Sequence, residues 1–344
     1  MEEAFREYRE SGFQPARIVS HEGNLYTAIG ETGEFRGKVS GRMRYECRES
    51  GDYPAVGDWV AVDGNLEMGT MTINGILPRR TKFMRATYNI SKYTGDQVVC
   101  TNVEILFIVV SLDEEFNANR LERYLAQASA SGSKPVVVLN KADLCKDIRG
   151  VLNQAKAVAR EAPLIFVSAK TGAGLDQLRR FLGNGKTGSL VGPSGAGKST
   201  IINALLGEER FETRDVRDYD KKGRHTTSHR ELVMLPSGGM LIDNPGMRGL
   251  GVTGDQDVIG STFEDIEALA RQCRFSNCKH KTEPGCAVKA AIEDGSLSRE
   301  HFENYERLQR ELWVVSVKKS ERSRLGKKLA IASRKRQKME KEGL

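Results

Sequence analysis

A chain of 344 residues that is 39% hydrophobic and 29% charged has the composition of ordinary folded domains and the length for two to four of them. It has no uninterrupted apolar run of the roughly 18 residues that a membrane span needs, and Met1 to Ser11 lack the apolar stretch of a signal peptide; a cytoplasmic protein without membrane contact is expected. The net charge of +7 is unevenly placed: Lys318 to Leu344 carry eleven Lys or Arg against three Asp or Glu, so the rest of the chain is near neutral.

From Phe13 to about Arg80 short extended runs alternate with turns: Ala16 to Ser20, Leu25 to Ile29, Gly37 to Arg44, Asp58 to Val62 and Thr70 to Leu77. They predict a small β-barrel, and the pattern alone leaves OB and SH3 types open. After Lys92 the signal changes to buried parallel strands at Val103 to Leu112, Pro135 to Leu139, Pro163 to Val167 and Gly188 to Val191. Asn119 to Ala130 lie between the first two, with Leu121, Tyr124, Leu125 and Ala128 at helical spacing, which predicts an open doubly wound α/β sheet. Glu231 to Leu235 and Met240 to Ile242 flank a turn-forming Pro-Ser-Gly-Gly and predict a hairpin with one antiparallel edge strand. Past Asp255 the chain reads as helical and Cys-rich, with Tyr305, Leu308 and Leu312 on one helix face.

The chemistry is concentrated in short motifs. Gly192, Pro193, Ser194, Gly195, Ala196, Gly197, Lys198, Ser199 and Thr200 form GxxxxGK[ST] between a strand and an apolar helical run, the context a phosphate-binding loop requires. Its amides converge on phosphate oxygens, Lys198 adds a point charge and Ser199 offers a hydroxyl to Mg²⁺. Asn140, Lys141, Ala142 and Asp143 end a strand as NKxD, and a carboxylate at Asp143 can accept from both the ring N–H and the exocyclic amine of guanine, which adenine lacks. Ser168, Ala169 and Lys170 end the next strand as the supporting SAK element, with the Ala169 amide expected to donate to the guanine carbonyl.

Asp243 to Gly246 read DxxG, with Asp243 serving Mg²⁺ and the Gly246 amide the γ-phosphate. Upstream, Gly223 to Ser228 read GRHTTS, a polar switch stretch in which Thr227 is favoured over Thr226 as the hydroxyl that closes on Mg²⁺. The position after DxxG is Met247, whose thioether cannot orient water, so His225 is the candidate catalytic group. Cys273, Cys278, His280 and Cys286 supply three thiolates and an imidazole, the donor set of one closed structural Zn²⁺ site. The basic tail suits an RNA backbone.

The order NKAD, SAK, P-loop, GRHTTS, DNPG and then C-x4-C-x-H-x5-C, together with Pro54-Ala55-Val56-Gly57-Asp58-Trp59-Val60, resembles the RsgA (YjeQ) family of circularly permuted GTPases. The resemblance implies an OB-fold barrel over 1–90, a circularly permuted α/β P-loop GTPase domain over 91–255, a helical zinc-binding domain over 256–312 and a basic helical tail over 313–344. It also implies hydrolysis of GTP to GDP and phosphate in late maturation of the 30S ribosomal subunit, contact with its 16S rRNA, and stimulation by the particle. A nucleotide-switched RNA-binding scaffold with vestigial hydrolysis is the alternative. No sequence feature speaks for a dimer, so a monomer is expected.

Overall fold

The computed structural model describes residues 2–47, 49–89, 92–113, 115–183, 185–211, 230–243, 260 and 262–317. The chain divides into two compact units, one of residues 1–85 with 96–250 and one of residues 86–95 with 251–344. Among the described residues no helix is long and apolar enough to cross a membrane.

The first unit opens with helix α1 (Glu2–Glu10), followed by strands β1 (Gln14–Glu22), β2 (Leu25–Gly30) and β3 (Gly33–Val39), helix α2 (Gly41–Glu46), then β4 (Trp59–Asp63) and β5 (Thr70–Ile76). These strands pair in the order β1-β2-β3-β5-β4, and β4 returns to β1 to close the barrel. Its β3–β5 pair is parallel, and the five-stranded closure is that of an OB-fold. Inward residues Ile18, Ala28, Phe35, Val60, Val62 and Ile73 fill it. The expected strand Gly37 to Arg44 stops early, because Ser40 accepts a hydrogen bond from the Met43 amide at 3.2 Å and caps α2.

A hairpin of β6 (Lys82–Asn89) and β7 (Lys92–Thr101) leads to β8 (Ile105–Ser111), α3 (Ala118–Ser131), β9 (Lys134–Asn140), α4 (Ile148–Ala159), β10 (Leu164–Val167), α5 (Leu175–Leu182), β11 (Thr187–Val191) and α6 (Lys198–Leu206). Helix α3 starts where Asn117 accepts from the Arg120 amide and stops at Gly132 in the left-handed region. The strands β10, β9, β8, β11 and β13 (Met240–Asp243) run parallel in that order, with β12 (Glu231–Met234) antiparallel to β13. Alternation along β8 and β9 sends Leu106, Ile108, Val137 and Leu139 against α3 and α4, and Phe107, Val109, Val136 and Val138 against α5 and α6. The sheet is therefore doubly wound.

Strand β12 is not an edge. Its Glu231 pairs with Ser20 of β1, so the GTPase sheet runs on into the barrel as one sheet of eleven strands. The joint is charged and buried. Asp58 accepts from the Ala55 amide at 2.7 Å, Thr101 Oγ1 at 2.7 Å, and Arg79 Nε and Nη2 at 2.8 and 2.7 Å. Four donors offset the cost of burying that carboxylate. Arg17 of β1 donates to the Gly57 and Asn102 carbonyls, reaches Met240 Sδ at 3.3 Å, and lies 5.4 Å from the centre of the Trp59 ring. Burial lowers its pKa, against the charges of Glu104 and Asp58.

The second unit contains α7 (Glu264–Ala270), α8 (Ala287–Glu293) and a helix over 299–317, called α9. Phe263, Ile266, Val288, Phe302, Tyr305, Leu308 and Leu312 form its core, with Tyr305, Leu308 and Leu312 on the buried face expected of them.

Candidate nucleotide and metal sites

The C-terminal ends of the parallel strands carry the motifs. Strand order turns back between β8 and β11, and the crevice at such a switch point is where open α/β sheets take ligands. The phosphate-loop motif fills the turn from β11 to α6. Gly192 has φ +150, and a Cβ there would meet the Val109 carbonyl oxygen at 2.3 Å; at Gly197, φ +89, it would meet Asn140 Nδ2 at 2.3 Å. Only glycine lets the loop pass this close to β8 and to the NKAD asparagine.

Asn140 joins three motifs. Its Nδ2 donates to the Ala196 carbonyl at 2.8 Å, its Oδ1 accepts from the Ala169 amide at 3.2 Å, and the side chain is buried. NKAD, the phosphate loop and SAK are thus locked together, and the Ala169 amide expected to face a guanine carbonyl points to Asn140 Oδ1. Ser168 is buried and accepts from the Thr171 amide at 3.2 Å, which shapes the turn after β10; Lys170 is exposed. Lys141 adopts φ +61 and starts a short turn in which Asp143 stands exposed.

Lys198 Nζ donates to the Gly192 and Pro193 carbonyls at 3.0 and 2.7 Å. Burial lowers its pKa, while the charge of Asp243 raises it, so the lysine and this carboxylate share one electrostatic field. Asp243 is buried at the end of β13, and Ser199 occupies the first turn of α6. His225, Thr227 and Gly246, with the rest of GRHTTS and of the DNPG motif beyond Asp243, lie outside the described residues, as does the tail 318–344.

One ion pair at this rim escaped sequence reasoning. Asp113, just past β8, accepts from Lys141 Nζ at 2.6 Å. It belongs to no motif, and its only signal is that it follows a strand that must pair with the NKAD strand.

In the second unit the four expected metal ligands come together, their donor atoms all within 4.8 Å of one another. Cys273 Sγ lies 3.8 Å from Cys286 Sγ and 3.6 Å from His280 Nδ1, which is 3.3 Å from Cys286 Sγ. Tetrahedral zinc with Zn–S bonds of about 2.3 Å sets its sulfurs roughly 3.8 Å apart, so the residues fit one such ion. Cys286 also caps α8, its sulfur accepting from the Lys289 amide at 3.4 Å. His280 has φ +58, and Glu283 organises that loop by accepting from the amides of Lys279, Lys281 and Thr282 at 3.1, 2.9 and 3.0 Å.

A phosphate loop latched to an NKxD strand that precedes it in the chain defines the class: a P-loop GTPase of rotated motif order. Comparison with known proteins agrees. The family model for the RsgA GTPase matches residues 76–253, over half of the chain, and a model described as 50S ribosome-binding GTPase matches 187–325. A small ribosomal subunit biogenesis GTPase RsgA of Opitutus terrae is 43% identical over 90% of this chain and 86% of its own. One of Lactiplantibacillus plantarum is 43% identical over 88% and 85%. Among solved structures, YjeQ from Thermotoga maritima covers 88% of this chain and 99% of its own, with a TM-score of 0.64 and 27% identity. YloQ, described as a circularly permuted GTPase, covers 87% and 95% with a TM-score of 0.61; at 22% identity it speaks for the fold. The chain belongs to the RsgA GTPase family, and it is a GTP-hydrolysing enzyme.

Proposed function

We propose that this protein hydrolyses GTP to GDP and phosphate in the cytoplasm during late maturation of the 30S ribosomal subunit, as a monomer that touches 16S rRNA and is stimulated by the particle. The observation that carries the GTP half is the Asn140 latch, which sets a guanine-type reader and a phosphate loop on one rigid rim. The ribosomal half rests on relatives named for small ribosomal subunit biogenesis that match this chain over most of both lengths.

In this reading Asp143 accepts from the guanine edge, while Asn140, Lys141, Ala142, Ser168, Ala169 and Lys170 frame the base. Residues Gly192 to Thr200 and Gly246 surround the phosphates. Ser199, Thr227 and Asp243 hold Mg²⁺, which when bound neutralises charge on the phosphate oxygens. Lys198 lies against the loop carbonyls with its ammonium part-buried, where a point charge on phosphate is strongest. His225 orients the attacking water. Cys273, Cys278, His280 and Cys286 hold one structural Zn²⁺ and leave no open coordination position for chemistry.

The test is GTP turnover by the full chain with and without 30S subunits, at low and moderate salt. Stimulation is expected, stronger at low salt because a charge-driven contact is screened. Absence of stimulation at both salts counts against the ribosomal role. His225→Ala is expected to depress both rates; unchanged rates would reassign the water-orienting group.

A further inference from the structure

Asp113 is placed by the register of the sheet. Ser111, the last residue of β8, is the partner of Asn140 at the end of β9, so the chain two residues on leaves the sheet beside Lys141. There the carboxylate has two side-chain donors: Lys141 Nζ reaches Oδ2 at 2.6 Å, and the Ser111 hydroxyl donates to Oδ1. Burial pushes this carboxyl up, but the bonds from Lys141 and Ser111 and the ammonium's charge outweigh it and hold it below the usual carboxylate range. It is ionised at neutral pH.

The Lys141 side chain is 23% and the Asp113 side chain 28% exposed, so solvent screens the pair only in part. An unpinned lysine stem samples many rotamers and would lose that freedom when a ligand orders it. Here the backbone end of Lys141 is fixed at φ +61 between the latched Asn140 and the exposed Asp143, and the ammonium end is fixed on Asp113. The stem is strung between two anchors along the border of the base-reading corner.

We propose that Asp113 is a positioning residue for nucleotide binding, holding Lys141 Nζ so that the lysine stem stands as a preformed apolar ledge beside the guanine base. The inference rests on the reading that Asp143 and its neighbours take guanine. It reaches beyond the NKxD motif, because the anchor lies on a different strand. Asp113 acts on the base half of the site, so it affects GDP and GTP alike and leaves the chemical step alone.

The experiment titrates the full-length protein, wild type, Asp113→Ala, Lys141→Ala and the double variant, with fluorescent GDP and a non-hydrolysable GTP analogue, and measures steady-state GTP turnover. Losing one preordered side chain weakens binding by roughly three- to ten-fold. Asp113→Ala should weaken both nucleotides by the same factor in that range and raise KM to match, with kcat unchanged within error. In the Lys141→Ala background it should add nothing. Unchanged affinity overturns the proposal, as does a loss confined to the GTP analogue or to kcat. A full loss that persists without Lys141 would show a general structural defect and overturn it too. Failure of the wild type to bind GDP would sink the guanine-site reading itself, and this inference with it.

Discussion

Asn140 shows how one amide can decide a site. Its donor and acceptor each serve a different strand-end turn, the bond to Ala196 buried and the one from Ala169 partly so. Removing them leaves the Ala196 carbonyl and the Ala169 amide without partners, and each unsatisfied buried group costs about 1–3 kcal/mol. Asn140→Ala is therefore expected to lower GDP affinity by roughly ten- to a hundred-fold, with the fold largely retained. Fluorescent GDP titration beside a denaturant melt checks this; loss of binding no larger than the loss of stability would show that the latch serves the fold alone. Asparagine and glycine are complementary here. A side chain at Gly197 would occupy the space of Asn140 Nδ2, which explains why the two motifs must be read together.

Elements were legible where burial dominates their composition. Strands β8 and β9 are runs of β-branched and aliphatic residues because both faces are covered, and the phosphate loop was readable because its glycines have no substitute. The hairpin of β6 and β7 was missed: KFMRATYN and KYTGDQVVCT mix charge with apolar residues and are not joined by a two-residue Asn-Gly turn. The extra pairing of β12 was missed for another reason. It depends on one contact with a strand more than 200 residues earlier, and no local pattern encodes that. Asp113 was missed likewise, since its role depends on which strand lies beside β8. The metal loop lies between these cases. Its four candidate ligands were readable, whereas Glu283 was not, although its carboxylate draws the amides of Lys279, Lys281 and Thr282 around His280 and is held down to about 2 by its own backbone amide first and then by those three. Glu283→Ala should release the loop and weaken zinc binding by about ten-fold, in line with losses from outer supports of metal ligands. A competition titration with a zinc chelator reads this, and unchanged affinity would show that the ligands fold the loop without help.

At the scale of the whole molecule, the barrel and the GTPase domain fall within one compact unit. Val19, Val56, Phe83 and Val99 share a core with Ile108, Leu121 and Leu139, and the sheet passes from one to the other without a break. Asp58 accepts from Thr101, and Arg17 donates to the Asn102 carbonyl and reaches Met240 Sδ, across the same joint. The two share one core and one sheet, so they should unfold together. The second unit has its own apolar core, and its candidate metal ligands Cys273, Cys278 and Cys286 belong to or pack against it. A ligand that binds only the native state raises the melting temperature of the unit it binds. Calorimetry of the full chain is therefore expected to show one transition that rises with GDP and Mg²⁺ and contains both barrel and GTPase domain, and a second that falls when zinc is removed by a chelator. A saturating nucleotide at a hundred times its Kd stabilises by about 2.7 kcal/mol, a shift of roughly 5–11 °C for a unit of this size. If the barrel melted alone, indifferent to GDP, the continuous sheet would be no more than a geometric coincidence; if one transition answered to both ligands, the two units would be energetically one.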